Sequence, residues 1–154
     1  MKLTEAEKGY LAGLFDGEGC VGYYCRSAKS WPSYHSASLH IAMTERQSID
    51  WIMERVGYGH VSYVKKSDGR KSVYSWQLCN KLHIQEVLEA ICPYLKVKAN
   101  QVDTLLILWE AEKAFPARVV SEELIELRQQ AADDIKLLKQ AKWEGVETRR
   151  AGSF

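Results

Sequence analysis

Apolar and polar residues follow two different periods along the chain. Four short stretches alternate every second residue, which is typical of strands with one packed and one open face; they cover Val21 to Arg26, Ser38 to Thr44, His60 to Val64 and Val73 to Leu78. Elsewhere apolar residues return every three or four positions, as on one side of a helix; these predicted helices cover about residues 4–16, 47–56, 82–92, 97–114 and 121–142. The pattern predicts the order αββαββα followed by C-terminal helices.

Local signals support these boundaries. Thr4 and Glu7 form a capping box at the start of the first helix, and the pair Gly57 and Gly59 closes the second. The turn Ser67–Arg70 joins the third and fourth strands into a hairpin. Two hairpins alternating with helices predict an α+β fold, with a curved four-stranded antiparallel sheet that has its helices on one face. The other face stays open.

Length and composition limit the protein to one domain of ordinary globular type. The chain has 154 residues, of which 46% are hydrophobic. We expect a folded domain over residues 1–145 and a weakly ordered tail over residues 146–154. Neither a run of eighteen apolar residues nor a secretory leader is present, which predicts a soluble, intracellular protein without a membrane partner.

Cysteine spacing argues against zinc and disulfide chemistry. The four cysteines, at positions 20, 25, 79 and 92, include no Cys-x-x-Cys pair. We expect them to be reduced thiols that lie mostly in the core. The four histidines likewise show no spacing typical of a histidine–metal nuclease.

Charge is segregated along the chain although the net charge is only +1. Residues 20–44 carry Arg26 and Lys29 and no acidic residue, and residues 57–80 carry four basic residues against Asp68 alone. Acidic residues concentrate in the last predicted helix, over residues 121–140. Because nucleic-acid binding depends on local basic surface, this distribution favours a nucleic-acid partner at the two hairpins.

The segment from Leu11 to Gly19 combines features that core packing does not explain. It is an apolar helix with several small residues that ends in the carboxylates of Asp16 and Glu18. A buried carboxylate costs several kcal/mol unless it is paired, and Gly13 and Gly17 each cost roughly 1 kcal/mol in a helix. Two such helices packed side by side, with two Glu18 side chains near a shared metal site, would explain both features. The alternative is an ordinary turn at a helix C-terminus.

These nine residues resemble the signature of the LAGLIDADG homing endonucleases, with Phe15, Gly17 and Glu18 as conservative departures. Because the signature occurs once, the resemblance implies the homing-endonuclease fold assembled as a homodimer. The implied contact between protomers involves Leu11, Ala12, Gly13, Phe15 and Asp16. Asp16 is also expected to accept structural hydrogen bonds near the helix end.

The resemblance also implies a catalytic centre. Glu18 and the carbonyl oxygen of Gly17 are expected to bind Mg²⁺, with Mn²⁺ or Ca²⁺ as substitutes in binding. Lys98 matches a lysine placed near the scissile phosphate, and Glu45 matches a polar residue that positions water. The alternatives are a solvated lysine at a helix start and a helix-capping acid. Where the family has an arginine this chain has Ile49, so the resemblance provides no counterpart for that part of the site's solvent network.

Strand parity selects the residues that face a DNA groove. The groove-facing candidates are Tyr24, Arg26, Ser38, His40, Ser62, Lys66, Ser75 and Gln77, and the candidates for contacts near the ends are Lys29, Lys65, Arg70 and Lys71. A register error of one residue would exchange the whole groove-facing set.

The function implied is site-specific cleavage of double-stranded DNA, at a long pseudo-palindromic site, by metal-dependent phosphodiester hydrolysis. One alternative is a relative that binds without cleaving, such as a maturase that acts on intron RNA or a DNA-binding regulator. Another is a protein-interaction domain in which the glycine-rich helix only mediates dimerisation.

Overall fold

A computed structural model describes residues 1–28, 31–66, 71–116 and 120–140 of the chain. Its elements follow the predicted αββαββα order and continue with further helices, so the α+β class is confirmed. The elements are α1 (Glu5–Glu18), β1 (Gly19–Ala28), β2 (Trp31–Met43), α2 (Arg46–Val56), β3 (His60–Val64), β4 (Val73–Leu78), α3 (Lys81–Ile91), a 3₁₀ turn (Cys92–Tyr94), α4 (Ala99–Glu112) and α5 (Glu122–Gln140).

The four strands form one antiparallel sheet in the order β1-β2-β4-β3. One transverse row pairs Ile41 of β2 with Trp76 of β4, and Trp76 in turn with Val61 of β3. The side chains of Ile41 and Trp76 are fully buried beneath the helices. The indole N–H of Trp76 donates to the carbonyl oxygen of Tyr58 at 2.8 Å, which ties the core to the loop before β3.

The helices begin and end where local chemistry satisfies their backbone. Thr4 caps α1 through the predicted capping box, and Gly57 ends α2 in the left-handed conformation with φ 77°. The side chain of Asn80, which the sequence analysis did not single out, caps α3 by accepting from the N–H groups of Leu82 and His83. Helix α1 extends two residues beyond its predicted end, so Glu18 is its last residue.

Two expectations are wrong. The cysteines are free, but Cys20 and Cys79 are exposed and the other two are only half-buried, because all four lie at element ends or outside the centre of the sheet. The alternation along β3 predicts that Tyr63 faces the core on the same side as Val61, but 52% of its surface is exposed. It lies on the edge strand β3, where its ring contacts that of Tyr74 at a centroid distance of 5.0 Å.

Within the described residues, no helix is both long enough and apolar enough to cross a membrane. The predicted boundary near residue 145 and the tail that follows it lie outside the described residues.

Candidate active site and nucleic-acid interface

Helix α1 ends in an exposed carboxylate. Glu18 is the last helical residue, and Gly19 begins β1 without an intervening loop. Glu18 makes no hydrogen bond or ion pair with any described residue. A Cβ atom on Gly19 would lie 2.4 Å from the carbonyl oxygen of Phe15, so the close approach of helix and strand requires glycine here. The direct passage from α1 to β1 fixes the position of Glu18.

Asp16 has a structural role within its own protomer, as expected. Its carboxylate accepts the backbone N–H of Lys96 at 2.7 Å and that of Lys98 at 2.9 Å. Burial by itself raises the pKa of Asp16, but the hydrogen bonds from the backbone of Lys96, Lys98 and Val97 outweigh it, so the pKa lies below its usual value. Asp16 thereby joins α1 to the segment that precedes α4.

Lys98 is held beside the end of α1. Lys98 is the N-cap residue of α4, and its ammonium group donates to the main-chain carbonyl of Asp16. Because Asp16 is two residues before Glu18, the structure brings the predicted lysine and the predicted metal ligand to the same end of α1. Helix α4 starts at Ala99, two residues later than predicted. The residue before it, Lys98, instead donates its backbone N–H to the carboxylate of Asp16.

The donor atoms at this end fit a hard divalent cation. The carboxylate of Glu18 and the carbonyl of Gly17 are oxygen ligands, which Mg²⁺ prefers and supplements with water. Within the described parts of the chain, no group of three or more His, Cys, Asp or Glu side chains could hold a metal ion. At the end of α1, the Asp16 carboxylate already accepts two backbone N–H groups, so Glu18 is the carboxylate that one protomer offers to a cation there.

The side chains around Glu45, which the resemblance implies would position water, make other contacts. Glu45 is the N-cap of α2, and its side chain accepts from the N–H of Gln47 at 3.1 Å, which favours the helix-capping alternative. Arg46 pairs with Asp50 at 3.0 Å on the surface of α2. Ile49, at the position of the family's arginine, is fully buried.

The accessible face of α1 differs from the predicted one. Leu11, Ala12 and Phe15 have 1%, 0% and 1% of their surface exposed, because they fill the core of their own protomer. A side chain without exposed surface cannot contact a second protomer, so the interface prediction is wrong for these three residues. The residues of α1 that share an accessible face are Ala6, Tyr10, Gly13 and Gly17, at helical spacing.

The parity of the open sheet face agrees with the sequence analysis. Tyr24 is 64% exposed, while its neighbours Val21 and Tyr23 are buried beneath the helices. Lys65, Lys71, Ser62 and Gln77 are exposed, and Ser38, His40 and Lys66 are half-buried. The side chain of Arg26, together with Lys29 and Arg70, lies outside the described residues.

Ser75 differs from the other residues of this face. It is only 8% exposed, and its hydroxyl lies 3.0 Å from that of Ser62. Ser75 sits on the central strand β4, where the neighbouring strands cover a small side chain. The structure therefore favours a role in sheet pairing over contact with a groove.

A transverse row of polar residues crosses the open face near Glu18. The strand register aligns Cys20 with His40, His40 with Gln77, and Gln77 with His60. His60 was absent from the predicted set although its parity matches that of Ser62. Sequence parity could have found it.

The comparisons with known proteins agree with this geometry. No protein-family model matches the chain. It is 27% identical over 105 residues to the DNA endonuclease I-CreI of Chlamydomonas reinhardtii. The match covers 66% of this chain and 61% of that protein, so it spans less than two thirds of the relative's length.

Solved structures share the fold. The homing endonuclease I-CvuI, solved with the I-CreI target and magnesium, superposes with a TM-score of 0.72 at 21% identity, over 92% of this chain and 87% of that chain. The archaeal intron-encoded homing endonuclease I-Vdi141I, solved with DNA, gives a TM-score of 0.65 at 15% identity, over 94% and 89% of the two chains. The chain thus resembles the LAGLIDADG homing endonucleases in its nine-residue signature, and it shares its fold with the solved homing endonucleases I-CvuI and I-Vdi141I.

Proposed function

We propose that this protein is an intracellular, site-specific, metal-dependent endonuclease that cleaves double-stranded DNA as a homodimer. The observation that carries the proposal is the exposed carboxylate of Glu18 at the end of α1, which has no partner among the described residues. At the same end of the helix, the ammonium group of Lys98 donates to the main-chain carbonyl of Asp16. The open sheet face adjoins this end of α1, and the exposed Lys65 and Lys71 flank the adjoining ends of β3 and β4. These features together suit the binding of a polyanion next to a hydrolytic centre.

The chemistry assigned to these residues is phosphodiester hydrolysis. A bound Mg²⁺ would supply charge neutralisation and an activated water, and Mn²⁺ or Ca²⁺ would substitute in binding. Glu18 and the carbonyl of Gly17 would hold the ion, since both present oxygen. Lys98 would offset the negative charge that develops on the phosphate in the transition state.

A homodimer would complete the site. Each protomer contributes one Glu18, and a second copy packed against Gly13 and Gly17 would bring two of them together. Both glycines are exposed, and a Cβ atom on either would meet no other atom within 4 Å, so a second helix has room for close approach. Two equivalent centres suit a double-stranded, pseudo-palindromic site.

The open sheet face would read the duplex in its major groove. Gln77 and His40 lie on the row closest to Glu18, and Tyr24 projects from β1 on the same face. An antiparallel sheet can enter the major groove, where each base pair presents a distinct pattern of donors and acceptors.

A second candidate is a binder that does not cleave, such as an intron RNA maturase or a DNA-binding regulator. It is favoured by the region around α2, where Glu45 caps the helix and Ile49 is buried. A site without its water-positioning side chains could bind nucleic acid and leave it intact.

The experiment begins with selection of bound duplexes from a randomised pool. Cleavage of the selected duplex with Mg²⁺ is then compared for wild type, Glu18→Gln and Glu54→Gln, an exposed glutamate on α2 that serves as the control. Cleavage that is lost only in Glu18→Gln, with binding retained, supports the endonuclease. Salt-sensitive binding without cleavage by the wild type supports the second candidate, and absence of nucleic-acid binding contradicts both.

A further inference from the structure

A cavity of about 310 Å³ opens at the β3 edge of the sheet, between the first turns of α2 and the hairpin of β3 and β4. Its walls include Tyr63, Tyr74, Arg46 and Asp50. Tyr74 has the parity of the buried Trp76, so the cavity lies on the side of the sheet that carries the helices. A duplex on the open face would leave this cavity unfilled.

Two tyrosine rings form the aromatic part of this cavity. The rings of Tyr63 and Tyr74 contact each other at a centroid distance of 5.0 Å and an interplanar angle of 33°. The hydroxyl of Tyr63 donates to that of Ser72 at 3.1 Å, which holds the exposed ring at the rim of the cavity. Single-stranded nucleic acids bind proteins by stacking their bases on exposed aromatic rings of this kind.

The polar groups of the cavity suit the edge of a nucleobase. Arg46 and Asp50 pair through Nε and Oδ2 at 3.0 Å, and both side chains are more than half exposed. This contact leaves further N–H donors on the guanidinium group and further lone pairs on the carboxylate. A nucleobase carries both donors and acceptors on its edge, so the pair can bind either kind of group.

Basic residues flank the two tyrosines. Lys65 and Lys66 follow β3 and Lys71 precedes β4, so all three lie at the end of the hairpin next to the pair formed by Tyr63 and Tyr74. Lys65 and Lys71 are exposed. The phosphates of a strand with one base in the cavity would meet this positive charge. Charge complementarity therefore favours a polyanion over an uncharged aromatic ligand.

We propose that this cavity binds an unpaired nucleobase of a single-stranded DNA or RNA whose phosphates lie along the basic end of the hairpin. The base would stack on Tyr63, and its polar edge would meet Arg46 and Asp50. Lys65 and Lys71 would neutralise the neighbouring phosphates. The inference goes beyond the proposed function, because the double-stranded substrate is assigned to the opposite face of the sheet. The protein would then hold a single strand in addition to the duplex.

The test measures binding of a single-stranded oligothymidylate that carries one 2-aminopurine, a base whose fluorescence is quenched when it stacks. Tyr63→Ala should weaken binding roughly tenfold and abolish the quenching, because the stacking ring is lost. Tyr63→Phe keeps the ring and should bind within about twofold of wild type. Tyr24→Ala, which removes an exposed ring from the open face, is the control and should bind the single strand as wild type does. Melting temperatures report whether each variant is folded.

The selected duplex separates this cavity from the open face. Affinity for the duplex in Ca²⁺ should fall in Tyr24→Ala and stay unchanged in Tyr63→Ala. If the wild type binds no single strand, or if Tyr24→Ala loses single-strand binding while Tyr63→Ala keeps it, the inference is overturned while the proposed function stands. If single strands bind through Tyr63 but no duplex is bound or cleaved, the inference holds and the proposed function fails.

Oligouridylate and adenosine monophosphate identify the source of the base. Binding of only one of the two oligonucleotides, lost in Tyr63→Ala, supports the inference and identifies the strand as RNA or DNA. Lys71→Ala should reduce the slope of log K against log salt for the single strand by about 0.7, and Lys136→Ala, on the exposed side of α5, should not. If adenosine monophosphate binds as tightly as the oligonucleotides and Lys71→Ala leaves the slope unchanged, the cavity binds a free nucleotide and the assignment to a strand is wrong.

Discussion

Asp16 accepts hydrogen bonds from both the backbone and the side chain of Lys98. The Asp16 carboxylate accepts the backbone N–H of Lys98 at 2.9 Å, and the Asp16 carbonyl accepts the Lys98 ammonium group. The two residues are 82 positions apart in the chain. One residue of α1 thus fixes both the backbone and the charged group of a lysine at the end of the helix that carries Glu18.

We expect Asp16→Asn to slow DNA cleavage roughly tenfold to a hundredfold, because misplacing a catalytic cation by a fraction of an ångström weakens transition-state stabilisation. Duplex affinity should change much less. Single-turnover cleavage and binding in Ca²⁺ measure the two effects separately. Asp133→Asn, an exposed change on α5, is the matched control, and an unchanged cleavage rate in Asp16→Asn would contradict the positioning role.

The same carboxylate should make stability depend on acid. Burial raises the pKa of Asp16, but hydrogen bonds from Lys96, Lys98 and Val97 lower it more, so its folded pKa lies below the unfolded value of about 3.9. Its contribution is complete above the unfolded pKa and is lost as the pH falls through the folded pKa. Urea unfolding should show wild type more stable than Asp16→Asn near neutral pH, with the difference shrinking below about pH 4. A difference that is constant with pH would contradict this assignment.

Glu112 and Arg128 form a buried ion pair between α4 and α5. The Nε atom of Arg128 lies 2.6 Å from Oε1 of Glu112, and the two side chains are 10% and 8% exposed. The ammonium group of Lys81 also donates to Oε2 of Glu112 at 2.5 Å. Glu112→Ala would leave the guanidinium group buried without its partner, which costs about 3–5 kcal/mol. Glu110→Ala, which breaks the exposed pair with Lys113, should change the unfolding free energy by no more than about 0.5 kcal/mol. Chemical denaturation compares the two, and equal effects would contradict the prediction.

Tyr23 carries a buried hydroxyl that has no hydrogen-bond partner among the described residues. Burial raises the pKa of this phenol above its ordinary value, so the group stays neutral. Because the hydroxyl is desolvated without compensation, we expect Tyr23→Phe to leave stability unchanged or to raise it by up to about 1 kcal/mol. Urea unfolding measures the effect, with the exposed Tyr24→Phe as control. A clear loss of stability would reveal a partner for the hydroxyl.

Gly13 tests the assembly. Because a Cβ atom there meets nothing within 4 Å in the protomer, Gly13→Leu should fold normally. At a close helix contact between two copies, the added side chains would overpack the interface and raise the dimer dissociation constant roughly tenfold or more. Sedimentation equilibrium measures this change. Glu126→Leu, an equally apolar change on the exposed side of α5, should leave dimerisation intact, and an unaffected dimer in Gly13→Leu would exclude α1 as the interface.

The sequence indicated the order of the elements because each rests on local chemistry. Alternation with a period of two is a property of a single strand, and the caps at Thr4 and Gly57 involve neighbouring residues. The same locality made the parity of Tyr24 and Gln77 predictable. The segment that carries Asp16 and Glu18 stood out because its composition conflicts with ordinary packing.

Tertiary structure decided what depends on contacts between distant segments. The positions of the sheet and the other helices decide which face of α1 packs into the core. Phe15 lies on the buried face, and Gly13 stays accessible. The attachment of Lys98 to Asp16 joins two segments that are 82 residues apart in the chain. Periodicity reports only which side of an element is apolar, whereas the partner of each side chain is set by packing across the whole chain.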